Sequence, residues 1–170
     1  MRTLTKIIFL LIIIIGLLFE SPVIVISCGN HVLYEKPLRG ELRVILRYVH
    51  SVEKTPVIEV FKVKEDGIFL EKFLWQSFGA GLPLEPINAK ARVTEVGDFY
   101  CMDSIGENLG YEITAWFIPE NKCEIHVNGE HVVKLDGGGL LTIRLIHIPL
   151  YEAVFKWLFG GVFNCLPSKA

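Results

Sequence analysis

Apolar residues recurring at every second position, in short runs broken by turn formers, leave this chain few folds other than packed β-sheets. The clearest run is Glu41–His50, where Leu42, Val44, Leu46 and Tyr48 fall on one face and Glu41, Arg43 and Arg47 on the other. Val57–Lys64 repeats it, with Val57, Phe61 and Val63 opposed to Lys62 and Lys64. Asp66-Gly67 then reads as a hairpin turn, since both residues tolerate positive φ. Ile68–Trp75 returns as the partner strand, and its apolar residues on both faces predict a central place in a sheet. Further strands are expected at Val23–Ile26, Ala89–Glu95, Tyr111–Ile118, Cys123–Val127, Glu130–Leu135 and Leu140–Ile148, with Asn128-Gly129 as a second two-residue turn. Gly97–Gly110 reads as a loop with some order. The total is about nine strands at regular spacing, an all-β sandwich or barrel of mostly antiparallel strands.

The two ends have a different texture. Apolar residues make up 51% of the 170 and mean hydropathy is +0.44, with the excess at the termini. Behind Arg2 and Lys6 lies Ile7–Phe19, uncharged throughout. Cations first and an apolar stretch second is the order of a membrane-directed leader, and its length suits a signal sequence better than a full span. The leading cations predict a cytoplasmic N-terminus and a β domain on the far side of the cell membrane, or a secreted one if the leader is cut. Val25-Ile26-Ser27-Cys28 resembles a lipoprotein cleavage box, but its β-branched text reads as a first strand too. The chain thus divides into a leader or anchor over 1–21, a β domain over 22–148 and an apolar tail over 149–170. In the tail, Leu150–Phe159 predicts a helix with Glu152 and Lys156 at i,i+4, ended by Gly160-Gly161. It reads either as a helix closing one end of the sandwich or as an interfacial helix facing membrane or a membrane partner.

A formal charge of −2, from 17 basic and 19 acidic residues, supplies no basic face and excludes nucleic acid as a partner. Cys28, Cys101, Cys123 and Cys165 contain no C-x-x-C, so neither a zinc ribbon nor a thioredoxin-type motif is supported. In an exported domain they permit two disulfides; in a reducing compartment they are small buried apolar groups.

Three constellations carry chemistry-bearing side chains. His50 continues the inward face of its strand, and Glu59 interrupts the inward face of the next, between Val57 and Phe61. An inward carboxylate is costly unless paired, and a nearby imidazole would satisfy it. A structural His50–Glu59 pair is one reading; a ligand site on His50, Ser51, Glu53 and Glu59, at a barrel mouth, is the other. The Asn128-Gly129 turn places His126 opposite His131 with Glu124 two residues away, a weak metal set whose histidines are expected to point to water. Gly79 and Gly81 in Phe78–Pro83 either bring backbone N–H groups to a ligand or serve a tight turn. With no G-x-S-x-G, no phosphate-binding loop and no recognisable nucleophile, the chain reads as non-enzymatic and free of cofactor.

LRYVHSVEKTPVIEVFKV (Leu46–Val63) followed by FGAGLP (Phe78–Pro83), behind a membrane-directed segment, resembles the domain-of-unknown-function 1850 family. The resemblance covers about Val23 to Ile148. It implies a small exported or membrane-anchored protein, often found beside fused permease subunits of TRAP-type (TAXI) solute transporters. No catalytic residues come with it. The expectation is therefore a non-catalytic accessory module on the extracytoplasmic side of the membrane, with a small-ligand or metal-binding β protein as the alternative.

Overall fold

The computed structural model describes residues 2–79, 81–83 and 85–163. An N-terminal helix, α1 (Arg2–Leu18), leads directly into the first of twelve strands: β1 (Glu20–Cys28), β2 (His31–Pro37), β3 (Leu42–Val49), β4 (Pro56–Lys64), β5 (Gly67–Trp75), β6 (Arg92–Val96), β7 (Phe99–Asp103), β8 (Glu107–Asn108), β9 (Glu112–Phe117), β10 (Cys123–Val127), β11 (Glu130–Leu135) and β12 (Gly139–Pro149). A second helix, α2 (Leu150–Phe163), follows β12 without a break. One sheet has the order β2-β1-β12-β9; the other has the order β11-β10-β3-β4-β5-β7-β6, with β8 pairing beside β5. All the pairings are antiparallel.

The two sheets are a sandwich and not a closed barrel. Ile24 and Ile26 of β1 and Leu141, Ile143 and Leu145 of β12 are buried against Val44, Leu46, Phe61, Val63, Ile68 and Ile125 of the larger sheet. These are the alternating apolar positions legible in the sequence, meeting face to face as aligned sheets require. β5 lies between β4 and β7, as its two-sided apolar text predicts. A second cluster of Val57, Trp75, Leu82, Ala91, Met102 and Ile105 lies where the larger sheet extends towards β7. Leu82 and Ala91 carry the irregular segment between β5 and β6 onto that sheet, so a stretch without regular structure is still anchored.

Three expectations about strands are corrected. β2, β7 and β8 are additional, and the order within Gly97–Gly110 is that of two short strands, with Gly97-Asp98 turning the chain from β6 into β7. The strand expected at Ala89–Glu95 begins at Arg92. The first hairpin turns one residue earlier than predicted, on Glu65-Asp66, because Lys64 pairs with Gly67; Gly67 opens β5 at φ +139. Asn128-Gly129 behaves as expected, with φ of 50 and 85. That is the pair of positive values a type I′ hairpin needs.

The helices sit together at one end of the smaller sheet. β1 pairs with β12 so that Glu20 faces Pro149, which brings the end of α1 and the start of α2 side by side. The Leu150 N–H donates to the Phe19 carbonyl at 2.8 Å, and Gly16 lies beside Tyr151. α2 then lies on the outer face of the smaller sheet, where Ala153 packs with Val23 and Ile148. It neither closes an end of the sandwich nor stops at Gly160-Gly161; it continues to Phe163. Lys156 pairs with Glu35 of β2 and, at i,i+4, with Glu152 at 3.6 Å. α1 buries little: Phe9, Leu10 and Ile12 are 65%, 57% and 60% exposed, and Tyr151, Phe155 and Leu158 of α2 are exposed as well. No helix among the described residues is long and apolar enough to cross a membrane.

Cys28 is the last residue of β1, its Sγ 3.7 Å from the Gly138 carbonyl oxygen. Val25–Cys28 is the second half of a strand in the middle of the smaller sheet, as the strand reading expects. Cys28, Cys101 and Cys123 are free thiols; Cys165 lies outside the described residues.

Candidate functional site

Between the sheets, beside the well-packed core, is a cleft of about 880 Å³. The smaller sheet supplies Ile113, Thr114 and Ala115 of its edge strand β9 and Leu141 and Ile143 of β12; the larger supplies Leu46, Glu59, Phe61, Leu70 and Phe73. Gly81, Leu82, Pro83 and Ile87 form the rim. Leu46, Phe61, Leu141 and Ile143 are buried at the floor, while Gly81, Ile87 and Thr114 are exposed. A concave, mostly apolar space of this size is the usual form of a small-molecule site.

A bulge in β5 shapes the wall. Val60 pairs with Lys72 and Phe61 with Leu70, so Glu71 has no partner of its own in the ladder. The extra residue reverses the alternation after it, and Leu70 and Phe73, three apart, both turn to the cleft. Without the bulge one of the two would face solvent.

Glu59 is the ionisable group among the described lining residues. It stands opposite Leu46 on β3 and Phe73 on β5. Tyr48, diagonal to it on β3, donates its hydroxyl to Glu59 Oε1 at 2.7 Å, and the Tyr48 ring meets Phe117 edge-on with centroids 5.2 Å apart. Burial raises the Glu59 carboxyl above its ordinary value, and the Tyr48 hydrogen bond offsets only part of that. Tyr48 is itself raised, by burial and then by the neighbouring Glu59 charge, and the nearby Cys123 thiol is pushed up to about 12, by burial first and then by Glu59. In each of these groups the surroundings favour the neutral form more than water does.

The expected His50–Glu59 pair does not form. His50 lies past the end of β3, where its Nδ1 accepts the Glu53 backbone N–H at 3.2 Å and its own backbone N–H donates to the Thr55 carbonyl at 2.8 Å. It braces the β3–β4 turn; Ser51 is exposed in that turn. The partner that sequence reasoning missed is Tyr48. Alternation had placed it on the inward face, and only the β3–β4 register, with Leu46 opposite Glu59, brings its hydroxyl within reach.

Glu53 joins the two signature segments instead. Its Oε2 accepts from Ser77 Oγ at 3.4 Å, and a Cβ at Gly79 would collide with its carboxylate. Gly79 is needed for that close approach. Gly81 is needed for its φ of +80, with open space around it. Of the six candidates, Glu59 and Gly81 line the cleft, Glu53 and Gly79 hold the rim loop to the turn, and His50 and Ser51 belong to the turn.

The weak metal set is not assembled. Among the described residues no group of three or more His, Cys, Asp or Glu side chains is placed to hold a metal ion. His126 and His131 are paired across the hairpin with ring centroids 5.2 Å apart, and Glu124 is 3.9 Å from His126 Nε2. His126 does not point freely to water as expected: its side chain is 19% exposed and its Nε2 is secluded, because β10 is flanked by β3 and β11.

Residues 44–133 match the family model described as a domain of unknown function (DUF1850). The chain belongs to that family. The match takes in most of β3, β4 to β10 and most of β11, hence Glu59 and the Gly79–Pro83 rim; β1, β2, β12 and both helices lie outside it. No curated protein and no solved structure matches the chain. The DUF1850 segment contributes the larger-sheet wall, the rim and the β9 part of the smaller-sheet wall, and β12, outside the segment, adds Leu141 and Ile143.

Proposed function

We propose that this DUF1850 protein is a non-catalytic binding module, holding a small and largely apolar ligand between its sheets. The carrying observation is the cleft of about 880 Å³, walled by aliphatic and aromatic side chains around one carboxylate. A concave, mostly apolar space of this size with one polar group set in it is the usual form of a small-molecule site. The exposed apolar surfaces of α1 and α2 support membrane attachment, with the β domain outside the cytoplasm as the leading cations imply.

Saturable binding of the fluorescent apolar probe N-phenyl-1-naphthylamine to the full chain tests the reading. The expected result is one site, abolished in Ala115→Phe, whose ring occupies the cleft from β9, while circular dichroism and melting show that variant folded. Saturable binding that survives in the folded variant, or none in the wild type, refutes it.

A second reading, accessory to a transporter permease of the TRAP (TAXI) type, is favoured by the same exposed apolar residues of the two helices. Purification from membranes with a permease attached supports it; recovery as a free monomer that ignores vesicles counts against it.

A further inference from the structure

Glu59 is where the cleft departs from a simple apolar hollow. The described lining holds neither lysine, arginine nor histidine, and the carboxylate makes no ion pair among the described residues. Tyr48 occupies Oε1 and leaves Oε2 to accept from something else. The same sheet treats a carboxylate differently on its other face, where Glu71 meets Arg43 and Lys62, each at 3.2 Å. An inward carboxylate beside a vacant apolar space, with a neutral donor on one oxygen and no cation, lacks its counter-charge.

We infer that the ligand of the cleft is a cationic amphiphile, an apolar chain ending in a protonated amine, and that Glu59 Oε2 receives the ammonium while the chain lies along Leu70, Phe73, Ile113 and Ile143. This rests on the binding reading above and adds the chemistry of the head group. An ammonium has three donors and one positive charge, so it satisfies the free oxygen and neutralises the site in a single contact. An alcohol supplies the donor without the charge. A fatty acid brings a second carboxylate to a place that has no cation for either. The walls set the rest of the specificity: aliphatic and aromatic side chains from both sheets reward a chain and offer a bulky polar group little to bond.

Three probes of equal chain length separate these cases: dodecylamine, dodecanol and dodecanoate, each used below its micellar concentration to displace N-phenyl-1-naphthylamine from the full chain at pH 7. Displacement from Ala115→Phe is subtracted as binding outside the cleft. The amine is expected to displace at a concentration at least about tenfold lower than the other two, the scale of one well-placed charge pair. In Glu59→Gln, which keeps the shape and removes the charge, the three are expected to converge. Equal or better displacement by dodecanol or dodecanoate overturns the inference, as does an amine preference that persists in Glu59→Gln. If the naphthylamine binds saturably and one of the neutral or anionic probes displaces it best, binding in the cleft stands and only the head-group assignment falls. If the naphthylamine finds no saturable site, the binding reading itself fails and this inference with it.

Discussion

The larger sheet carries two carboxylates on adjacent strands, Glu59 on β4 facing inward and Glu71 on β5 facing outward, and it resolves them in opposite ways. Glu71 is the bulge residue, turned to solvent between Arg43 and Lys62. Burial alone pushes it up, yet the Lys62 hydrogen bond and the two cationic charges outweigh that and hold it below the ordinary carboxylate value. Glu59 has one neutral partner, and burial leaves it raised. An outward charge in water needs little help, and its ion pairs add little. An inward charge with half its bonds made is a stability cost that a purely structural core would avoid by using an apolar residue. The contrast points to the inner face as the place where stability gives way to binding.

The largest effect is expected from Tyr48→Phe, which leaves the Glu59 carboxylate without its donor. At pH 8 it should cost about 1–3 kcal/mol of unfolding free energy, the range for stranding a buried polar partner. In a Glu59→Gln background the same change should cost clearly less, since an amide is cheaper to strand than a carboxylate. Equal costs in the two backgrounds, measured by urea unfolding, would mean that Tyr48 acts through its packing on Phe117 alone.

The pH dependence sharpens the comparison because the two groups have opposite signs. Glu59 binds its proton more tightly folded than unfolded, so its contribution is intact below the ordinary value near 4.5 and declines as pH rises towards the folded-state value. Tyr48 from β3 and Cys123 from β10 are the titratable groups facing it, and both stay neutral through that window. Glu59→Gln should therefore stabilise the protein at pH 8 relative to wild type, and hardly at all at pH 4. A difference that is flat between pH 4 and pH 8 would contradict a raised Glu59.

How much of this was legible in the sequence follows from the period of the signal. β3, β4, β10 and β12 carry alternating text that gives strand and inward face directly. A hairpin partner follows where a short turn joins neighbours, as at Asn128-Gly129; the pairing of β12 with β1 and β9 does not follow from that text. β2 escaped because His31–Pro37 is an edge strand with little buried, so it has no face to declare. β7 and β8 escaped because they are short and lie in glycine-rich text. Glu59 was visible as a polar residue on an inward face. Its partner was not: a period of two gives the face a residue shares, while the diagonal reach of Tyr48 depends on the β3–β4 register. The cleft itself was invisible, since it needs β9 and β12 from the far end of the chain and a bulge that two-sided apolar text conceals. The join between Glu53 and Gly79 was hidden for the same reason, being a contact between two loops.

The rim gives a smaller, intermediate test. Gly81→Ala meets open space but must adopt a φ of +80, so it should cost about 1 kcal/mol in melting experiments and weaken naphthylamine binding if the rim loop shapes the cleft. Gly79→Ala has ordinary φ and displaces only the end of the Glu53 side chain, so it should cost less and act through Ser77. A Gly79 variant more damaging than the Gly81 variant would show that the loop is held by the Glu53 contact and not by its backbone turn.

The smallest effect belongs to the outer face. Glu71→Gln removes the shared partner of Arg43 and Lys62, but all three side chains are reached by water, and Lys62 retains Glu41 at 3.7 Å. The expected loss is below ~1 kcal/mol and shrinks further in high salt, as screening reaches the pair. Its sign with pH is the reverse of the inner group's: with its folded value lowered, Glu71 contributes above the ordinary carboxylate range and loses that contribution as pH falls through the lowered value. A Glu71→Gln penalty that matched the Tyr48→Phe penalty, and ignored salt, would erase the distinction between the two faces and take away the reason for assigning the inner carboxylate to a ligand.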